Sequence, residues 1–138
     1  MDASSVIEIL TSLEAAGVDA WIDGGWGVDA LLGEQTRAHG DLDLAVDRDT
    51  LESVQHTLEA LGFTTDNSAE PGLPARLVMT DARERVVDLH PLVFDETGNG
   101  WQQLDPTGRR WGRYPADDLR LLQERFRVGP SLPDLSDE

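Results

Sequence analysis

The run "DLDLAV", Asp41 to Val46, constrains the fold more than any other stretch of this chain. In a β-strand alternate side chains share a face. Leu42, Leu44 and Val46 therefore make one apolar side, and Asp41 and Asp43 make the other. The apolar side requires a covering layer. The polar side requires a reason to hold two carboxylates about 7 Å apart, because like charges repel in a partly desolvated site and aspartate is depleted in strands. A divalent cation removes that penalty. Hard oxygen ligands at this spacing suit magnesium, which binds through one or two carboxylates together with substrate phosphates. For an isolated D-x-D, a polar face turned to water is the commoner reading.

The residues upstream narrow the choice. "VDAWID" reads as a short strand ending at Asp23, and "WGVDALL" as a short helix closed by Gly33. Gly24 and Gly25 join them. Glycines at a strand-to-helix turn let the backbone approach a ligand closely, and the helix N-terminus offers free N–H groups to phosphate. Downstream, Asp88 stands inside a second apolar strand, "RVVDLH". If the two acidic strands are neighbours, three carboxylates converge. Two can hold metal, and the third can take a proton from an attacking hydroxyl or complete the metal site. A salt bridge from Asp88 to Arg83 or Arg85 is the structural alternative.

The remaining pattern predicts the order α-β-α-β-α-β-β-β-α. Ser5 and Glu8 have capping-box spacing before Val6, Ile9, Leu10 and Leu13. Asp49 and Glu52 suggest the cap of a helix carrying Leu51, Val54, Leu58 and Leu61, closed by Gly62. "FTTD", "ARLVMT" and "RVVDLHPLVF" read as strands, "WQQL" and "RRWGRY" as hairpin material, and "PADDLRLLQERF" as a last helix. The fold class is α+β, close to α/β: a mixed twisted sheet with helices mainly on one face. Residues 1–127 form one domain and 128–138 a flexible acidic tail.

Charge excludes one class of partner. Twenty-seven acidic residues oppose 11 basic ones, all arginine, for a net charge of −16. Such a surface repels nucleic-acid backbones and attracts cations, so a polycationic small molecule is a better partner than DNA or RNA. There is no cysteine, hence no disulfide or thiolate metal site. No run approaches the roughly 18–20 apolar residues of a membrane span, and the N-terminal residues lack a secretory pattern. The expectation is a cytoplasmic protein.

The longer strings "DGGWGVDALLG", "TRAHGDLDLAV" and "VVDLHPLVFDETGNG" resemble the antibiotic nucleotidyltransferases, of the aminoglycoside 2''-nucleotidyltransferase and lincosamide nucleotidyltransferase types, within the DNA polymerase β-like superfamily. The resemblance spans roughly residues 18 to 115. It implies the polymerase β-like fold and transfer of a nucleoside monophosphate from a nucleoside triphosphate, ATP by default, to a drug hydroxyl, with release of pyrophosphate. It assigns Gly24, Gly25 and Arg37 to the nucleotide phosphates and Asp41 and Asp43 to two Mg²⁺ ions. It makes Asp88 the third carboxylate, as metal ligand or general base. Substrate contacts are expected from Asp95, Glu96, Trp101 and Tyr114. Acidity leans toward an aminoglycoside, with a lincosamide close behind. His90 shares a face with Asp88 and reads first as a core histidine; Asp29, His39 and Trp26 read as packing or loop residues.

Relatives of this type continue after the aromatic segment into a longer helical region, where this chain has one helix. The acceptor pocket is then open, completed by the second subunit of a homodimer, or different. Two alternatives of other classes follow: a small protein-modifying nucleotidyltransferase of toxin–antitoxin type, and a non-catalytic module that binds nucleotide or drug.

Overall fold

The structure is a computed structural model that describes residues 1–24 and 40–127. Gly25, Arg37, Trp26, Asp29 and His39, the predicted helix after the glycine pair and the tail 128–138 lie outside the described residues.

Helix α1 (Ala3–Ala15) begins one turn earlier than the capping-box reading. Asp2 is its N-cap and accepts from the Ser5 N–H at 2.8 Å. Ser5 and Glu8 serve another partner. Arg85, only 7% exposed, donates to the Ser5 hydroxyl, lies 3.7 Å from Glu8, and stacks over Phe63. Its Nε donates to Asp81 at 2.6 Å. The helix ends where Val18 and Gly17 return their N–H groups to Leu13 and Glu14, with Gly17 at φ +75°.

Seven strands form one mixed sheet: β1 (Ala20–Asp23), β2 (Leu42–Asp47), β3 (Thr64–Thr65), β4 (Leu77–Thr80), β5 (Val86–Phe94), β6 (Gly100–Gln103) and β7 (Trp111–Tyr114). The order is β1-β2-β5-β4-β3, and the β6–β7 hairpin extends from the far end of β5. Only β2 and β5 pair in parallel; every other described pairing is antiparallel. A parallel pair needs a crossover. Here it contains a 3₁₀ turn (Arg48–Thr50) and helix α2 (Leu51–Ala60). That turn is opened by Asp47, whose carboxylate accepts from the Asp49 N–H at 2.9 Å, so the cap is Asp47 and not Asp49. The strand's last residue is already beside the first free N–H, and no side chain caps α2 itself.

The two faces of the sheet differ in kind. One face carries α1 and α2 over the main core, with Val6, Ile9, Leu13, Ile22, Leu42, Leu44, Leu58, Met79 and Leu89 at its centre. The other holds a smaller cluster of Trp21, Ala45, Leu92 and Leu119, where α3 (Ala116–Arg127) crosses β1. Among the described residues no helix is long and apolar enough to cross a membrane. Leu44 is fully buried in the main core. Leu44→Ala is expected to cost about 2–5 kcal/mol, through lost transfer energy and the cavity left behind, read as a lower urea midpoint with unchanged slope.

Candidate active site

The alternation that sends Leu42 and Leu44 into the main core sends Asp43 to the opposite face. The pairing then decides its neighbours. Asp23 of β1 registers with Asp43 of β2, and Asp43 registers with Asp88 of β5. Three aspartates stand in one row across three strands. Asp41 lies just before β2, exposed, and its charge reaches Asp43.

Gly24 closes the row at its mouth. Its φ is +62°, a conformation that side chains disfavour, and a Cβ there would collide with the Asp43 carboxylate. The glycine is required by the aspartate behind it.

One residue further along the same face, His90 registers with Ala45, whose small side chain leaves room for the imidazole. Nε2 lies 3.4 Å from Asp88 Oδ1 and 3.9 Å from Asp43 Oδ1. On the other side of the ring, Nδ1 lies 3.2 Å from the Tyr114 hydroxyl and 3.5 Å from Asp23 Oδ2. Tyr114 donates to Asp23 Oδ2 at 2.6 Å, which leaves the phenol oxygen to accept from His90 Nδ1–H. Asp88 is 8% exposed, and its Oδ1 is paired with the His90 ring. Its Oδ2 faces Arg76 at 3.4 Å. Arg76 is in turn fastened to the Pro71 and Glu70 carbonyls, and Gln102 holds the same loop through the Ala75 carbonyl. Arg85, one of the two arginines weighed for Asp88 from sequence, is on the opposite face with α1; the arginine beside Asp88 is Arg76.

The electrostatics follow from this crowding. Burial, then the charge of Asp41, raises the Asp43 carboxyl to about 6. The His90 hydrogen bond, followed by those of Tyr114 and the Gly24 N–H, lowers Asp23 to about 2 against its burial. Burial disfavours the His90 cation, but the hydrogen bonds to Asp23 and Asp88 and the surrounding carboxylates outweigh it and raise His90 to about 9. Burial and Asp23 push the Tyr114 phenol far up, so it remains a donor.

A raised histidine contributes stability that is complete below about 6.5 and is lost as pH rises through about 9. In the metal-free protein the His90 ring resonance should therefore titrate near 9, and Asp23→Asn should bring it back toward 6.5. NMR of the histidine Cε1 protons checks this.

The expected substrate residues divide. Tyr114 joins the site. Asp95 and Glu96 lie in the turn of the β5–β6 hairpin, about 23 Å along β5 from Asp88, and Trp101 about 17 Å along it, opposite Val93. Asp95 accepts from Thr97, Asn99 and the Trp101 indole, which organises the turn and holds its carboxyl well below the usual range. Trp101 registers with Val93, on the sheet face opposite Asp88. Glu96 is exposed in the same turn. Sequence reading missed Asp23 and Arg76 and left His90 in the core. Asp23 had a visible signal, an acid ending a strand directly before the glycine pair. Arg76 had none.

Whether these residues fit a cation can be judged from the donors. Asp43, Asp88 and His90 each offer one ligand atom, all within 4.8 Å of one another, and Asp43 carries its charge against burial and the charge of Asp41. The set fits a divalent ion.

This mixed sheet with its helices is a fold shared with solved antibiotic nucleotidyltransferases. More narrowly, the chain belongs to the aminoglycoside-2''-adenylyltransferase family, whose model it matches over residues 5–125. It is 33% identical over 100 residues to a lincosamide resistance protein of Staphylococcus haemolyticus, covering 72% of this chain and 60% of that protein. It is 35% identical over 80 residues to a 2''-aminoglycoside nucleotidyltransferase of Escherichia coli, covering 56% of this chain and 45% of the relative. The chain thus spans about half to three-fifths of the length of these relatives. Among solved structures, the lincomycin-bound lincosamide antibiotic adenylyltransferase LnuA matches with a TM-score of 0.67 and 29% identity, over 83% of this chain and 68% of the other. ANT(2'')-Ia in complex with adenylyl-2''-tobramycin matches with a TM-score of 0.59 and 25% identity, over 67% and 51%.

Proposed function

We propose that this protein transfers a nucleoside monophosphate from a nucleoside triphosphate to a hydroxyl of a small antibiotic, an aminoglycoside or a lincosamide, and releases pyrophosphate. The observation that carries the reading is the row Asp23–Asp43–Asp88 with Gly24 pressed against Asp43. Family membership and the names of the relatives support it.

Asp41 and Asp43 would hold divalent cations, with Asp88 beside them as the base. When bound, these would neutralise the triphosphate and the departing pyrophosphate. The chain's own contribution is placement and proton traffic. Gly24 keeps the mouth of the site free of side chain, so that the triphosphate reaches Asp43. The acceptor oxygen forms a bond to the α-phosphorus as the bond to the β-phosphate oxygen breaks, and Asp88 receives the hydroxyl proton. Arg76 fixes Asp88 by Oδ2 and leaves Oδ1 on the side of His90 and Asp43. Holding both reactants in line supplies the rest of the rate.

The test is pyrophosphate release from each nucleoside triphosphate across aminoglycosides and lincosamides. Release that depends on one drug class supports the reading and names the acceptor. No release with any drug, under conditions where the nucleotide binds, defeats it. Within an active pair, Asp88→Asn should slow turnover about 10²–10⁴-fold with little change in the nucleotide KM; an unchanged rate would remove Asp88 as base.

A further inference from the structure

The outer edge of β7 is open. The Leu104 N–H donates to the Arg110 carbonyl across the hairpin, and Gly112 registers with Gln102, so the backbone groups of Gly112 and Tyr114 turn toward β6. Those of Trp111 and Arg113 turn away from it, and among the described residues no strand pairs with them. An open edge of this kind is a template for another strand.

The side chains indicate which strand fits. Trp111 is 37% exposed; its indole N–H donates to the Gly108 carbonyl, and Arg48 lies over the ring at 5.9 Å. Arg113 is exposed on the same face. When two β7 strands are paired antiparallel about a two-fold axis at Gly112, Trp111 of each lies opposite Arg113 of the other. The outward residues then exchange N–H and carbonyl groups in four backbone hydrogen bonds and form two cross-strand cation–π pairs. The neighbouring registers set arginine against arginine. One places Arg113 opposite itself and Trp111 opposite Pro115, which has no N–H. The other places Trp111 opposite itself and Arg113 opposite Arg109. Charge favours this edge as well. Residues 100–114 carry three arginines and one acid, in a chain whose net charge of −16 otherwise repels a second copy.

We infer that this chain forms a two-fold dimer through β7, in which Arg110 of the partner subunit completes the rim of the active site. In that register Arg110 of the partner subunit stands opposite Tyr114, on the sheet face that carries Asp23, Asp43 and Asp88. Within one chain Arg110 and Tyr114 are four residues apart, about 13 Å along the strand. The pairing thus brings a guanidinium to a cleft of carboxylates, where it binds the phosphates of the nucleotide. That role rests on the proposed function; the interface does not.

The chain has no cysteine, so a single introduced one reports the register. A Cβ at Gly112 meets only ordinary contacts, with Leu104 and Gln102. Across the two-fold axis the two positions form a non-hydrogen-bonded pair about 4.5 Å apart, within disulfide range. Sedimentation of the wild-type chain should show a dimer. Under mild oxidation Gly112→Cys should become a covalent dimer, and His56→Cys, exposed on α2, should not. Arg113→Pro, which removes an outward N–H, should be monomeric; the disulfide decides the matter if that variant fails to fold. With an active nucleotide and drug, Arg110→Ala should lower kcat/KM about 10–100-fold. Co-expression of Arg110→Ala with Asp43→Asn should restore about a quarter of the wild-type rate, since half the dimers then hold one complete site. A monomeric wild type, or a dimer that fails to crosslink through Gly112→Cys or persists in Arg113→Pro, overturns the interface. A crosslinked dimer in which Arg110→Ala keeps full activity, or is not rescued by Asp43→Asn, overturns the contribution in trans. A dimer silent with every nucleotide and drug defeats the proposed function and the guanidinium's role with it, while the disulfide still establishes the interface.

Discussion

Asp43→Asn is expected to abolish pyrophosphate release and, at the same time, to make the metal-free protein more stable at neutral pH. The two effects share a cause. Asp43 sits in the middle of the acidic row, and burial together with Asp41 raises its carboxyl to about 6. A folded-state pKa above the unfolded value, about 3.9, means that the folded protein binds the proton more tightly. The stability it contributes is therefore greatest below about 4 and falls as pH rises from about 4 to 6. At pH 7 the charged form is held against its preference. Asparagine mimics the protonated acid in shape and removes that strain, but it cannot neutralise a cation. Turnover should fall by at least about 10³-fold, the several kcal/mol that a catalytic cation supplies. The melting temperature of the metal-free variant should lie above that of wild type, and added divalent ion should raise only the wild-type value. A variant that is less stable at pH 7 and still responds to metal would contradict the assignment of Asp43.

Gly24→Ala tests the other half of the row. Gly24 has φ +62°, and a methyl group there meets the Asp43 carboxylate. The clash is with the end of a side chain, so it can be relieved by rotating that carboxylate, which is the group the chemistry needs. Loss of activity should therefore exceed loss of stability. A misplacement of about 1 Å at such a centre costs on the order of 10²-fold in kcat/KM. The backbone conformation adds about 1–2 kcal/mol of destabilisation. Gly17→Ala is the matched control. It has φ +75° and open space around it, so it should lose similar stability and keep full activity. Comparable activity in the two variants would mean that Gly24 serves the turn alone.

The fold and the site were legible to different depths. The strands around Asp43 and Asp88 and the helices α1 and α2 followed from apolar spacing, and the final helix from Pro115 and the acids of its first turn. That spacing records which side of each element is buried. The two caps were misplaced because the helical turns begin earlier, three residues before Ser5 at Asp2 and two residues before Asp49 at Asp47. Trp101 and Asp95 looked available for substrate because aromatic and acidic residues gather near the hairpin. The register instead places Trp101 on the other face and engages Asp95 with its own turn.

By itself the sequence determined what each strand offers to each face, since a period of two is a property of the backbone and needs no partner. It thereby determined that Asp41 and Asp43 share the face opposite Leu42, Leu44 and Val46, that Asp88 shares one with His90, that a glycine pair precedes them, and that the composition is acidic. Only the tertiary structure decided that Asp23 joins the row, that Arg76 and not Arg85 fixes Asp88, and that His90 is held by a tyrosine. Those choices depend on the registers of β1 with β2 and of β2 with β5, and on a hydrogen bond between residues 91 positions apart. Register is set by how the buried faces of several strands fit together, and no local pattern encodes it.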